Sequence, residues 1–145
     1  MSEVLQTVDA VLDAYRKAVL DKSVDAFMQL YDDDVRVFDA WAVWSYQGTA
    51  AWRQAIDAWF GSLGAERVRV TFDEVRVLDG CELVHVSAIV TYAAVSAGGE
   101  APRAMQNRLA WVLRPRTSPR IVHEHTSAPI GVDDMKAILK RDPHR

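Results

Sequence analysis

The sequence lacks a second cysteine, because Cys81 is the only one among its 145 residues. An intramolecular disulfide and a thiolate metal cluster are therefore excluded, and we expect a reducing compartment. The sequence also lacks an apolar run of membrane-spanning length, and its first ten residues, MSEVLQTVDA, mix acids and polar residues before any apolar run. We predict a cytoplasmic protein with no membrane partner.

Clustered positive charge is also missing. The chain has 17 Lys and Arg against 20 Asp and Glu, a formal net charge of −3, and its basic residues are scattered. Nucleic acids and anionic membranes are recognised by clustered basic residues, so we expect neither as a partner. Apolar residues, in contrast, are abundant: 50% of the residues are hydrophobic and five are Trp. That composition, at this length, predicts one ordered domain over residues 1–145.

Helical periodicity dominates the first half of the chain. An amphipathic helix is predicted over about residues 3–20, with a buried stripe of Val4, Val8, Val11, Tyr15 and Val19. Ser23 is predicted to cap a second helix that the acidic run 32–34 ends. A short strand pair follows, and Thr49 is predicted to cap a third helix that ends at GSLG.

Strand periodicity dominates the second half. Four alternating segments, RVRVTFDEVRVL, ELVHVSAIVTYAAV, AMQNRLAWVLR and RIVHEHTS, are separated by the turn sequences DG, SAGGE and PRTSP. Helices followed by antiparallel strands are typical of the α+β class, with three N-terminal helices packed on a curved, mostly antiparallel sheet. We expect the core over about residues 3–129, and a tail or short helix over 131–145.

Asp39 is the candidate base. It stands between VRVF and WAVW, so we expect aromatic surface around it, and burial raises the pKa of a carboxyl toward values useful for proton transfer. The alternative is an aspartate bonded to the backbone of a strand-ending turn. Tyr15 is by default a core tyrosine, and Trp41, Trp44 and Trp59 are either packing residues or a platform for a ligand.

The stretch IVHEHTSAP places His123 and His125 on one face of a strand and Glu124 on the other. Together with His85, the pair suggests a three-histidine metal site, and the alternatives are packing and pocket lining. Because no stronger ligand spacing supports the metal reading, we predict no metal and no cofactor.

Arg108 is a charged residue in an otherwise apolar predicted strand. A buried arginine needs a partner, so it lies either on the solvent side or paired within a cavity. Strand parity places Asn107 and Arg108 on opposite faces, but it does not say which of them faces inward.

Two segments resemble known families. Residues 14–41, AYRKAVLDKSVDAFMQLYDDDVRVFDAW, are similar to the N-terminal part of ketosteroid isomerases. The resemblance implies the nuclear transport factor 2-like (cystatin-like) cone that these enzymes share with SnoaL-like proteins. It also implies that Asp39 shuttles a proton and that Tyr15 donates to the developing enolate oxygen. The second acid of the isomerases has no counterpart, since the matching stretch reads MQNRLAW.

Residues 98–129 resemble the association domain of calcium/calmodulin-dependent kinases and its SnoaL-like relatives. The resemblance implies that Arg108 faces the cavity and that the HxH-S-AP pattern closes the last strand. In the association domain another arginine often stands where this chain has Thr126.

Together these features predict a SnoaL-like protein, a homodimer whose conical cavity binds a small organic molecule. Its polar contacts would come from Tyr15, Asp39, His85, Arg108 and His125. An enzyme of this kind would transfer a proton next to a carbonyl, as isomerases and cyclases do. The alternative is a non-catalytic association module.

Overall fold

The computed structural model describes residues 2–96, 98 and 103–142. Most of the predicted SAGGE turn and the last three residues of the predicted C-terminal segment lie outside these ranges. In chain order the elements are α1 (Glu3–Leu20), α2 (Val24–Met28), β1 (Tyr31–Phe38), β2 (Tyr46–Gln47), α3 (Thr49–Ser62), β3 (Arg67–Asp79), β4 (Val84–Val95), β5 (Arg103–Arg114) and β6 (Arg120–Ser127). The predicted α+β order, with helices first and a four-stranded meander last, is confirmed.

Local capping explains where the helices begin. The Ser2 hydroxyl accepts the Leu5 N–H at the start of α1, and the Ser23 hydroxyl accepts the Ala26 N–H at the start of α2. α3 begins at Thr49, but its N-cap is Gly48, whose φ of +83° favours glycine. No helix within the described ranges is both long and apolar enough to cross a membrane.

The acidic run 32–34 corrects one prediction. It lies inside β1 and does not end α2, which already stops at Met28. The reason is pairing, since Tyr31 is 2% exposed and pairs with Ile121 of β6, so the chain is already extended when it reaches the acids. The three aspartates are consequently half-buried or exposed on the strand.

The six strands form one mixed sheet in the order β2-β1-β6-β5-β4-β3. β1 and β6 are parallel, and the other neighbours are antiparallel, which confirms a mostly antiparallel sheet. The parallel pairing brings the end of β1 beside the middle of β6, with Val37 opposite Glu124 and Phe38 opposite His125. The last strand thus lies against the segment that carries Asp39.

The two faces of the sheet differ in burial. The inner face is covered by the helices and contributes the buried residues Val84, Val86, Val90, Leu109 and Trp111 to the core. The outer face carries the alternate residues, such as Ile89 of β4 and Arg108 of β5. Parity therefore decides which side chains can reach a site between helices and sheet.

The segment after β6 folds back on the sheet. Ile130 and Ala137 form an isolated antiparallel bridge, and the Gln106 N–H donates to the Leu139 carbonyl over 2.6 Å. Arg141 forms an ion pair with Glu74 at 2.6 Å. Up to residue 142 the segment contains turns and this bridge but no helix, and it docks beside the N-terminal half of β5.

Candidate functional site

A cavity of about 480 Å³ lies between the helices and the inner face of the sheet. Its walls are mainly apolar and include six aromatic residues, Tyr15, Phe27, Trp41, Trp52, Trp59 and Tyr92. Tyr15 packs against Phe27 with ring centroids 5.1 Å apart, and Trp59 meets Tyr92 edge-on at 5.8 Å. The cavity is thus suited to a largely apolar ligand.

Asp39 lies just beyond the end of β1 and lines this cavity. Its Oδ1 accepts a hydrogen bond of 2.9 Å from the Thr126 hydroxyl, whose oxygen accepts the Ala40 N–H at 2.8 Å. Burial raises the pKa of Asp39, while the bonds from Thr126 and from the backbone of Trp41 and Ala40 lower it. Asp39 therefore combines both predicted alternatives: it is bonded to the strand-ending turn and faces the cavity.

Tyr15 reaches the same cavity from α1. Its hydroxyl lies 2.8 Å from the hydroxyl of Tyr92 on β4. Burial raises the pKa of Tyr15 well above its ordinary value, with added contributions from Tyr92 and Glu124, and burial likewise raises the pKa of Tyr92. Both side chains stay neutral near pH 7, so the pair offers a hydroxyl proton inside an apolar site.

Glu124 is the second carboxyl of the cavity. It is 2% exposed, and its Oε1 accepts the Tyr31 hydroxyl at 2.6 Å and the Trp111 indole N–H at 2.8 Å. Burial raises the pKa of Glu124 to about 7, and the charge of Asp39 raises it too, while the hydrogen bonds from Tyr31 and Trp111 lower it. This acid is therefore partly protonated at neutral pH.

Positive charge is scarce in the site. Among the described residues that line the cavity, Arg103 is the only lysine or arginine, and its exposed side chain is paired with Glu66 at 2.9 Å. Two carboxyls thus face a cavity wall that offers them no buried cation. This explains why burial dominates the pKa of both acids.

The structure brings together only some of the predicted site residues. Tyr15, Asp39, Trp41 and Trp59 line the cavity. Trp44 is 96% exposed and does not line it, which corrects its assignment as a binding residue. It belongs to the irregular segment between β1 and β2, which turns the side chain to solvent.

The prediction also placed three further residues, His85, Arg108 and His125, in the cavity, which they do not line. They lie on the outer face of the sheet, because their strands alternate and their neighbours Val84, Asn107 and Glu124 take the inner positions. Arg108 Nε donates to the Ser127 hydroxyl at 3.0 Å on that outer face. The resemblance to a cavity arginine therefore fails here, and Asn107 faces inward in its place.

The histidine pair packs around an aromatic ring. His123 and His125 both meet Phe38 edge-on, with centroids 5.2 and 5.6 Å apart, and His123 Nδ1 lies 2.8 Å from the Arg36 carbonyl oxygen. Within residues 2–96, 98 and 103–142 no three His, Cys, Asp or Glu side chains are grouped to hold a metal ion. The geometry fits the packing alternative.

Sequence reasoning missed the most buried polar residues of the site. Glu124 entered only as a residue that points away from the histidines, and Thr126 only as a departure from a family pattern. Parity gave only a relation, because Glu124 and Thr126 lie on the face opposite to the histidines, and it did not say which face is turned toward the helices.

Comparison with known proteins agrees with this fold. Residues 8–131 match the family described as "SnoaL-like domain". No curated protein shows significant similarity to the sequence. A nuclear transport factor 2-like protein of unknown function from Pseudomonas putida is 19% identical, with a TM-score of 0.84 over 99% of both chains.

Two further solved structures are similar. A candidate aromatic ring hydroxylase from Novosphingobium aromaticivorans is 18% identical, with a TM-score of 0.64 over 84% of this chain and 86% of the other. A candidate calcium/calmodulin-dependent protein kinase II association domain from Xanthomonas campestris is 17% identical, with a TM-score of 0.66 over 86% and 87%. These likenesses confirm the predicted nuclear transport factor 2-like fold, and they carry no activity over to this chain.

Proposed function

The chain belongs to the SnoaL-like domain family, and we propose that its cavity binds a small, largely apolar organic molecule on which Asp39 acts as a proton-transferring base. The observation that supports this most directly is the placement of Asp39. A carboxyl whose pKa is raised by burial lines a largely apolar cavity of about 480 Å³, which the neutral side chains of Tyr15 and Tyr92 also line.

The reaction class follows from these groups. A carboxylate with a raised pKa can take a proton from a carbon next to a carbonyl, and the electron pair of the C–H bond then forms an enolate. The Tyr15 and Tyr92 hydroxyls are neutral hydrogen-bond donors in the same cavity for the developing oxyanion. Arg108 has no part in this step, since it lies on the other face of the sheet.

The charged groups of the cavity indicate the charge of the ligand that it can bind. Asp39 and Glu124 face the cavity, and Arg103 is exposed and already paired. A carboxylate or phosphate on the ligand would be repelled by the acids and would find no buried cation to pair with. We therefore expect a neutral carbonyl compound.

Exchange of carbon-bound hydrogen tests this proposal. In D₂O the protein should catalyse exchange of the α-protons of 2-tetralone, a neutral aromatic ketone, as followed by proton NMR. Asp39→Asn should lower the catalysed rate about 100-fold or more. Asp33→Asn, an exposed aspartate of β1, is the matched control and should keep the full rate. Full exchange by Asp39→Asn would remove Asp39 from the base role.

Association is a second candidate function. The outer face of the sheet holds a concavity of about 470 Å³ lined by Ser87, Ile89, Arg108 and His125, among others. The docked C-terminal segment beside it exposes apolar side chains, including Val132 at 92% and Met135 at 76%. Light scattering on purified protein separates the two roles, since a large ring supports an association module and a homodimer is compatible with the cavity function.

A further inference from the structure

We propose that Glu124 is a second catalytic residue of the cavity, a general acid that gives a proton to the substrate oxygen while Asp39 takes one from carbon. The inference rests on the proposed function, because it assigns a role within the same reaction. It also defines the substrate class as a ketone with a hydrogen on the neighbouring carbon.

The two carboxyls are placed to act on one molecule. Glu124 and Thr126 are alternate residues on the inner face of β6, and both line the cavity. Such residues are about 7 Å apart along a strand. Because Thr126 holds Asp39 through a 2.9 Å hydrogen bond, the two acids open onto the same space from neighbouring positions.

The carboxyl of Glu124 is held by one oxygen. Oε1 accepts both hydrogen bonds, from the buried side chains of Tyr31 and Trp111. Oε2 accepts neither of these bonds, so it is the oxygen that can carry a proton to a ligand. The two donors fix the orientation of the group, as a general acid requires.

Charge coupling between the two acids determines which of them is protonated before the reaction. The negative charge of Asp39 favours the protonated form of Glu124, whose pKa is raised to about 7. When Asp39 takes a proton its charge disappears, and Glu124 then gives up its own proton more readily. The charge of Glu124 in turn contributes to the raised pKa values of Tyr15, Tyr31 and Tyr92, which stay neutral.

The step balances without another reactant. The Asp39 carboxylate removes the α-proton, the C–H electron pair becomes a C=C bond, and the carbonyl π pair takes the proton of Glu124. The products are an enol, a protonated Asp39 and a Glu124 carboxylate, so one negative charge moves between the acids. Reprotonation of carbon by Asp39, with return of the enol proton to Glu124, restores the protein.

The pH profile of 2-tetralone exchange tests this role. The wild-type rate should fall below the pKa of Asp39 and again above about pH 7, where Glu124 loses its proton. Glu124→Gln keeps an oxygen that can accept from Tyr31 and Trp111 but cannot give a proton, so it should slow exchange about tenfold or more and abolish the alkaline fall. Tyr31→Phe removes a bond that lowers the pKa of Glu124, so its alkaline fall should move to higher pH.

The outcomes separate the two proposals. If the wild type catalyses exchange and its alkaline fall is unchanged in Glu124→Gln and Tyr31→Phe, the role of Glu124 is overturned. The role of Asp39 is unaffected by that result. No exchange by the wild type overturns the proposed function and, with it, the acid.

Infrared difference spectra supply a readout without substrate. A protonated-carboxyl band that is absent in Glu124→Gln should titrate near pH 7 in the wild type and at lower pH in Asp39→Asn. An unchanged titration in Asp39→Asn overturns the coupling on which the acid depends. Circular dichroism of each variant verifies that it is folded.

Discussion

Thr126 ties Asp39 to the last strand of the sheet. Its hydroxyl donates to Asp39 Oδ1 over 2.9 Å, and the same oxygen accepts the Ala40 N–H over 2.8 Å. One side chain on β6 therefore fixes both the carboxylate and the backbone that leaves β1. The position of the candidate base thus depends on the parallel pairing of two strands that are distant in sequence.

Removal of that hydroxyl should change both the pKa of Asp39 and the stability of the fold. Thr126→Val keeps the shape but loses the donor that lowers the pKa of Asp39, so this pKa should rise further. The free energy of unfolding should fall by about 2 kcal/mol, since both hydrogen bonds of the Thr126 hydroxyl are lost and the Ala40 N–H loses its acceptor. Carboxyl ¹³C NMR titration and urea unfolding measure the two effects. Thr126→Ser, which keeps the hydroxyl, should resemble the wild type in both, and equal behaviour of the two variants would contradict the assignment.

Much of the fold could be predicted because periodicity is a local property. The span of α1, the cap at Ser23 and the four strands after residue 67 follow from spacing and capping alone. Asp32 to Asp34 was misread because strand pairing with β6, which is remote in sequence, decides the conformation there. The local sequence preference of residues 32–34 does not predict that pairing.

The site could be predicted only in part, because orientation depends on register. Ile121 is buried on the inner face, so strict alternation would also turn His123 inward. The pairing of β5 with β6 shifts register just after Ile121, and this irregularity turns His123 and His125 outward and Glu124 inward. Nothing in the letters IVHEH marks that shift. In β5 the register likewise decides the orientation: Asn107 faces the cavity, and Arg108, which was expected there, lies on the outer face.

The tryptophans should separate by their contribution to ligand binding. Trp59 lines the cavity and packs on Tyr92, whereas Trp44 is 96% exposed. Trp59→Leu should weaken the binding of 2-naphthol, a neutral mimic of an aromatic enol, about fivefold, since a ring contact contributes about 1 kcal/mol. Trp44→Leu is the matched control and should leave the affinity unchanged. Calorimetric titration measures both, and equal losses in the two variants would argue against this cavity as the binding site.

The outer face should govern self-association if the chain forms the homodimer expected from its sequence. Ile89 lies at the centre of β4 on that face and lines the outer concavity. Ile89→Asp places a charge where a partner would have to cover it, so the dimer should dissociate to monomer. Ile89→Val keeps the apolar character and should remain dimeric. Size-exclusion chromatography with light scattering reads out the mass, and a dimer that survives Ile89→Asp would place the interface elsewhere.

Glu124 should make the fold less stable as the pH rises through neutrality. Its pKa is about 7 in the folded chain, against an ordinary value of 4.5, so between these values the folded state holds a proton that the unfolded state has lost. The favourable contribution of this proton is complete below pH 4.5 and is lost as the pH rises through 7. The full difference corresponds to about 3 kcal/mol.

Glu124→Gln should remove this part of the pH dependence. The free energy of unfolding of the variant minus that of the wild type should increase from pH 5 to pH 8, as measured by urea unfolding at each pH. Glu82→Gln, at an exposed position between β3 and β4, is the control and should follow the wild type. A Glu124→Gln curve parallel to the wild type would mean that Glu124 carries no extra proton in the folded chain. Because the measurement needs no ligand, it tests the proton on Glu124 independently of any activity.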